Sequence, residues 1–278
     1  YVLFLMKKIL RTSCFLMLEM AACSSLPEEK LSQFTLPTSL DMQGDTLLYS
    51  INNTLHVPLQ LQIRSKNPDA DSMLKMIMPL LLPAKTDTVI RFQPGVNSEN
   101  ASLSTSASFG DPGSNIKLQP LRLPFPGGKR YTIIQGYEGS FSHNSDYSRY
   151  ALDISLTEGD TVSAAADGFV VGVIEEYTDG GNLKKWRDYA NYITLYHPEM
   201  NVLTQYVHLM HMGSLVQVGD TVRTGQPIGL SGKTGYTTVE HLHFNVLRAT
   251  AEGTVSIPAT FEGEINGEEL KRGDEVKN

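Results

Sequence analysis

The first place where residue types and spacing suggest chemistry is His241-Leu242-His243. On a strand, side chains alternate faces, so the two imidazoles share one side while Leu242 and Phe244 take the other. Leucine and phenylalanine suit a core. Paired histidines on the opposite face do not, because each ring brings a donor and an acceptor that need partners. They suit a groove that holds a metal ion. A hydrolytic zinc site takes three protein ligands and keeps one position open for water, so further ligands must come from elsewhere. The stretch SFSHNSDYSRYALDISL offers His143, Asp146 and Asp153. Asp153 is read inside a strand, and a carboxylate on a rigid strand is a better ligand than Asp146 in a turn. In QYVHLMHMG, His208 is read on one strand face with Tyr206, away from Val207 and Leu209. His197 and His211 are read as strand-end or loop histidines, and His56 as facing solvent.

These side chains need a scaffold, and the pattern around them is strand-like. Leu55, Val57, Leu59, Leu61 and Ile63 alternate with polar residues and Pro58, which predicts a half-buried strand that lies at an edge or starts at the proline. TDTVIRF (86–92) predicts another, while MLKMIMPLLLP (73–83) fits a buried strand or a short helix. Residues 104–128 are rich in Ser, Gly and Pro and read as a linker. Beyond them, short strands separated by glycine turns run to about residue 262. Gly-Asp-Thr-Val occurs at 159–162 and again at 219–222, each a turn feeding a strand. The expected fold class is all-β. A β-sandwich-like accessory domain spans 41–120 and an antiparallel sheet domain spans 121–262, with a polar tether at 24–40 and a tail at 263–278.

Composition excludes several classes. The chain has 278 residues with 41% hydrophobic and 19% charged, ordinary for a globular protein. A net charge of −7 gives no reason to expect nucleic acid as a partner. Two cysteines cannot staple a disulfide scaffold. From Met6 the text MKKILRTSCFLMLEMAACSS has a basic head, a short apolar stretch and small residues before Cys23, the layout of an export signal over residues 1–23. Its end resembles a lipobox, which would make Cys23 lipidated and anchor the protein to a membrane in the cell envelope, in the periplasm or at the outer membrane.

Taken together, SHNSDYSRYALDI, DTVSAAADGFVVGV, YANYITLYHP, YVHL, VGDTVRTGQPIGLSGKTG and HLHF stand in the order found in the lysostaphin/LytM-type zinc endopeptidases. The resemblance covers residues 128–262, and the insert between His143 and Asp153 is longer than is common there. It implies a duplicated-hybrid-motif-like fold and hydrolysis of peptide bonds in peptidoglycan. Carried over by position, it implies that His143, Asp153 and His243 bind Zn2+ and that His208 and His241 assist a zinc-bound water. Loops 140–149 and 177–190, the second with Trp186, would wall the groove. Two other readings stand beside this one. A non-catalytic activator of a cell-wall amidase typically lacks metal ligands, and a barrel-sandwich binding module does not explain His208, His241 and His243 together.

Overall fold

The computed structural model describes residues 25–93 and 101–278. The expected export segment and Cys23 lie outside the described residues. In the N-terminal unit, β1 (Thr38–Gln43), β2 (Thr46–Asn53) and β5 (Thr86–Phe92) form one antiparallel sheet. β3 (Leu59–Ser65), β4 (Leu80–Leu82) and β6 (Leu103–Phe109) form a second, with β3 in the middle. The alternation at 55–63 is what fixes this register: Leu55, Val57, Leu59, Leu61 and Ile63 are all buried. Slipping β3 by one residue would expose Leu59, Leu61 and Ile63, at about 1.5–3 kcal/mol each. Pro58 cannot donate to a ladder, and β3 starts at the next residue. The ambiguous stretch divides. α1 (Pro68–Lys75) starts at Asn67, whose side chain accepts from the amides of Asp69 and Ala70, and its apolar face ends before β4.

The expected linker at 104–128 divides as well. Its first part is β6, where Ser104 and Ser106 are exposed and Phe109 is buried. Its last part sends Leu121, Leu123 and Phe125 into the C-terminal core. Small serines on the outer face hid a strand whose alternation is otherwise regular. The expected tether departs most, because residues 29–34 dock on the C-terminal unit, where the Leu31 amide donates to Tyr177 Oη at 2.8 Å and the Gln33 carbonyl accepts from the Val173 amide at 2.9 Å.

That unit comprises β7 (Arg130–Gln135), β8 (Leu152–Ile154), β9 (Thr161–Ser163), β10 (Gly168–Ile174), β11 (Gly180–Gly181), β12 (Tyr192–His197), β13 (Val202–Val207) and β14 (Leu209–Ser214). It continues with β15 (Thr221–Val222), β16 (Pro227–Ser231), β17 (Gly235–Tyr236), β18 (Leu242–Thr250), β19 (Gly253–Ser256), β20 (Thr260–Phe261), β21 (Ile265–Asn266) and β22 (Glu275–Lys277). The main sheet has nine strands in the order β15-β10-β12-β13-β18-β8-β7-β22, with β19 also on β18. A smaller sheet, β14-β16-β9, lies apart from it. All pairs are antiparallel except the short β11–β17 pair. The region expected as a tail belongs to the fold: β22 pairs with β7, and Leu270 and Val276 are buried. The two Gly-Asp-Thr-Val turns are built alike, with the Asp160 and Asp220 carboxylates each accepting the amide three residues back, at 2.9 Å. They feed different sheets, through β9 and β15.

One face of the main sheet supplies Tyr206, Leu242, Phe244 and Val246 to the core. On the other face, register lines up three rows across the strands. Asp153, His243, Val207 and Tyr192 are successive partners, then Asn245, Gln205 and Thr194, then Leu247, Leu203 and Tyr196. The third row packs in one apolar cluster with Leu59, Leu61 and Phe109 of the N-terminal unit. That unit therefore covers one end of this face and leaves the histidine end clear.

Candidate metal centre and its groove

Asp153 on β8 is the register partner of His243 on β18, so the two side chains start on adjacent strands and share a face. His143 arrives from the loop between β7 and β8. Its Nδ1–H donates to the carbonyl oxygen of Gly136 at 2.8 Å, which leaves a lone pair on Nε2. Nε2 lies 3.1 Å from Asp153 Oδ1 and 3.2 Å from His243 Nδ1, and those two atoms are 2.8 Å apart. All three residues are nearly inaccessible to solvent. With His243 Nδ1 unprotonated, three lone pairs meet at the corners of this small buried triangle, an arrangement that a cation among them stabilises. With metal–ligand bonds of about 2.0–2.1 Å, a tetrahedral ion has ligand–ligand edges of about 3.3 Å. The triangle and its two-nitrogen, one-oxygen chemistry therefore fit a divalent ion such as zinc.

The second carboxylate oxygen of Asp153 is held by Gln135, whose Nε2 donates to Oδ2 at 3.0 Å and to Ser142 Oγ at 2.8 Å. Gln135 was not singled out in the sequence. The available signal was a lone amide closing the apolar strand YTIIQ. Burial by itself would raise the Asp153 carboxyl, but the positive charge that His241 can take up and the close imidazoles of His143, His241 and His243 outweigh it and hold the group well below the usual carboxylate range. Asp146 stays outside the cluster, exposed and paired with Arg149.

His208 and His241 stand beside the triangle, with ring centroids 4.6 Å apart. His208 Nδ1–H donates to the carbonyl of Thr234 at 2.7 Å, and His241 Nδ1–H to that of Val239 at 2.9 Å. Each ring is thereby fixed in the tautomer that frees Nε2. His241 Nε2 lies 3.5 Å from Asp153 Oδ1. Burial, then the neighbouring His241 and His243, push the His208 pKa well down. Burial also works against the charged form of His241, but Asp153 overrides it and raises that pKa.

Simple alternation misplaces His208. β13 ends at Val207, and His208 has φ +67°, a left-handed conformation. Tyr206 points into the core, where its hydroxyl takes the amide of Ala165. By alternation His208 would follow it there. The left-handed residue breaks the strand and turns the ring toward His241 and His243 instead.

The remaining histidines lie elsewhere. His197 is buried between the carbonyl of Asp167 and the hydroxyl of Thr204, each at 2.8 Å. His211 lies exposed on β14. His56, expected to face solvent, stacks on Phe169 of the C-terminal unit at 4.1 Å between ring centroids. A groove of about 560 Å³ contains His208 and His243. Loop 140–149 walls it through Ser142, Ser145, Tyr147 and Ser148, and loop 177–190 through Arg187, Asp188 and Ala190. Trp186 is buried beneath its loop and is not part of that wall. Glu240 is tied to the amide of Glu158 at 2.9 Å and stays out of the groove.

Residues 147–257 match the family model described as Peptidase family M23. This segment belongs to that family. The match contains Asp153, His208, His241 and His243, while His143 lies just before it. An uncharacterized metalloprotease of Buchnera aphidicola subsp. Baizongia pistaciae is 32% identical over 136 residues, covering 47% of this chain and 32% of that protein. The Glycyl-glycine endopeptidase ALE-1 of Staphylococcus capitis is 34% identical over 115 residues, covering 40% of this chain and 28% of that protein. The Peptidoglycan DD-endopeptidase ShyA of Vibrio cholerae is 34% identical over 96 residues, covering 34% and 19%. The chain thus spans about a third or less of the length of these curated relatives. The matched segment holds two of the three residues of a His143–Asp153–His243 group that could hold a metal ion.

Proposed function

We propose that this M23 protein is a zinc-dependent endopeptidase that hydrolyses peptide bonds in bacterial peptidoglycan. The observation that carries the reading is the convergence of His143 Nε2, Asp153 Oδ1 and His243 Nδ1, with two further histidines at its side. In this reading those three atoms hold the ion. When bound, zinc polarises the scissile carbonyl and lowers the pKa of a coordinated water to about 7. Two neutral imidazoles and one carboxylate leave a dipositive ion with net positive charge, so the ligand set preserves its acidity. Gln135 keeps Oδ2 occupied and so presents Oδ1. His208 and His241, each with Nδ1–H committed to a main-chain carbonyl, use Nε2 to take the proton of the attacking water, to hydrogen-bond the developing oxyanion and to protonate the leaving amine. All five positions being filled favours hydrolysis over a non-catalytic activator. The peptidoglycan substrate is supported by the name of the Vibrio relative.

The test is incubation of the purified protein with peptidoglycan, with and without a chelator, and identification of the products by mass. New amine ends that vanish with chelator support the reading, and their absence with zinc present defeats it. His243→Ala is expected to lose both the ion and activity. His208→Ala should keep the ion and lose about 10²–10⁴ in rate. The proposal extends to location: the sequence MKKILRTSCFLMLEMAACSS supports export to the cell envelope with a lipid on Cys23. Labelled palmitate should enter the wild type and not Cys23→Ser, and equal labelling of both would remove the anchor.

A further inference from the structure

Loop 140–149 brings His143 to the triangle, and the turn at 233–237 orients His208. In the loop, the His143 amide donates to the carbonyl of Gly139 at 3.0 Å, and the Ser148 hydroxyl donates to the carbonyl of Ser142 at 2.8 Å. In the turn, the Thr234 carbonyl takes the Nδ1–H of His208. Two residues on, Tyr236 lines the groove. The turn is held on one side by the two-residue pairing of β17 with β11. There the Gly235 amide donates to the carbonyl of Asp179 and the Thr237 amide to that of Gly181, each at 3.1 Å. That is a short hold for a segment containing a glycine at φ +81°, a residue type with wide conformational freedom.

A second hold comes from the loop. Phe141, two residues before His143, stacks on Tyr236 with ring centroids 4.8 Å apart and planes 18° from parallel. Among the described residues no hydrogen bond joins loop 140–149 to the turn, and the two rings link them. Phe141 is 41% exposed and does not line the groove, whereas Tyr236 does. A ring so placed adds little to the core, and its partner is Tyr236. Stacked rings are worth about two- to tenfold in the equilibrium between a joined and a parted arrangement.

We propose that Phe141 and Tyr236 are a positioning pair: their stack clamps the turn that aims His208 to the loop that delivers His143, and so sets His208 against the metal triangle. The inference rests on the endopeptidase reading and deepens it by adding two positioning residues to the site. Phe141 offers no polar group, so its effect on the reaction travels through Tyr236 and the turn. When the stack parts, the Thr234 carbonyl moves with Tyr236 and His208 Nε2 loses its aim. The three ligand atoms stay together, because His143 keeps its own bonds to Gly136 and Gly139.

The experiment uses the full zinc-loaded chain with isotopically labelled histidine. Two quantities are read: kcat and KM on a peptidoglycan cross-link peptide, and the nuclear magnetic resonance signal of the His208 Nδ1–H, assigned by its absence from His208→Ala. Phe141→Ala is expected to keep zinc content and KM, to lower kcat about two- to tenfold, and to weaken the His208 signal through faster exchange with water. Phe141→Tyr, which keeps the ring, should restore both. Phe141→Leu, which keeps bulk without the ring, should not. Added to Tyr236→Ala, Phe141→Ala should change nothing further, as coupled residues require. Wild-type kcat and signal in Phe141→Ala overturn the inference. So does a rise in KM at constant kcat, which would make Phe141 a substrate contact, or a faster turnover, which would make the stack a lid. A weakened His208 signal in Phe141→Ala, with no cleavage by the wild type, defeats the endopeptidase reading and leaves the positioning pair standing. Cleavage by every variant with an unmoved signal does the reverse.

Discussion

At the scale of residues, chemistry was legible wherever an element's periodicity was regular. His241 and His243 straddle Leu242, which is buried, and Asp153 lies on the strand paired with His243. A two-residue period is enough to place such groups on one face. The same rule failed at His208, because a single left-handed residue is a backbone event that composition does not announce. It was also silent about Gln135, whose value depends on where Asp153 Oδ2 comes to rest. That contact yields a prediction. Gln135→Leu keeps the side chain's bulk and removes the donor, freeing the carboxylate to rotate and leaving Oδ2 buried without its partner. Outer partners of metal ligands are worth about 10–100-fold in affinity. Competition against a graded zinc chelator should show a loss of that size, with Gln135→Asn intermediate. Wild-type affinity in Gln135→Leu would mean that the hydrogen bond is incidental.

Elements carry the next layer. The strands at 59–65 and 86–92 follow from alternation, whereas β6 was obscured by serines that resemble linker composition. The docked segment at 29–34 was hidden for a related reason. Its polar text has no period, and it is held by main-chain and side-chain hydrogen bonds to partners far along the chain. The turn bearing Thr234 shows how an element acts on the site. The carbonyl of Thr234 orients His208, while its hydroxyl donates to the carbonyl of Leu209 and receives the amide of Asn191. The next residue, Gly235, has φ +81°, and a Cβ there would lie 2.8 Å from Cα of Ala190. Gly235→Ala must therefore shift the turn, at a cost of about 1–3 kcal/mol. The three metal-side atoms come from other segments. The expected outcome is full zinc content, a modestly lower melting temperature and a fall in kcat larger than that from a remote surface substitution. Loss of zinc from this variant would show that the turn supports the metal triangle directly.

Across the whole molecule, the main sheet organises one face into three rows, the first holding Asp153 and His243, the second polar and the third apolar, and the N-terminal unit covers the last. The opposite face builds the core that keeps the rows in register, so the stability of that core underlies the site. His197 reports on it without touching the metal. It ends β12 and is almost wholly buried, and its two nitrogens are satisfied in the neutral form by Asp167 and Thr204. Burial pushes its pKa down to about 4, against 6.5 in an unfolded chain. Because the folded pKa is the lower one, the unfolded chain binds the proton first as pH falls. The contribution of His197 is therefore complete above about pH 6.5 and is lost progressively down to about pH 4, with no further change below that. The full loss is about 3 kcal/mol, of which about 2 kcal/mol is gone by pH 5. Urea unfolding of the metal-free protein at pH 7 and pH 5 measures the drop. His197→Gln, which cannot take up a proton, should be less stable at pH 7 yet lose about 2 kcal/mol less than wild type between the two pH values. Equal losses in both proteins would mean that the core admits a charged imidazole at position 197 and that acid sensitivity comes from the histidines of the groove.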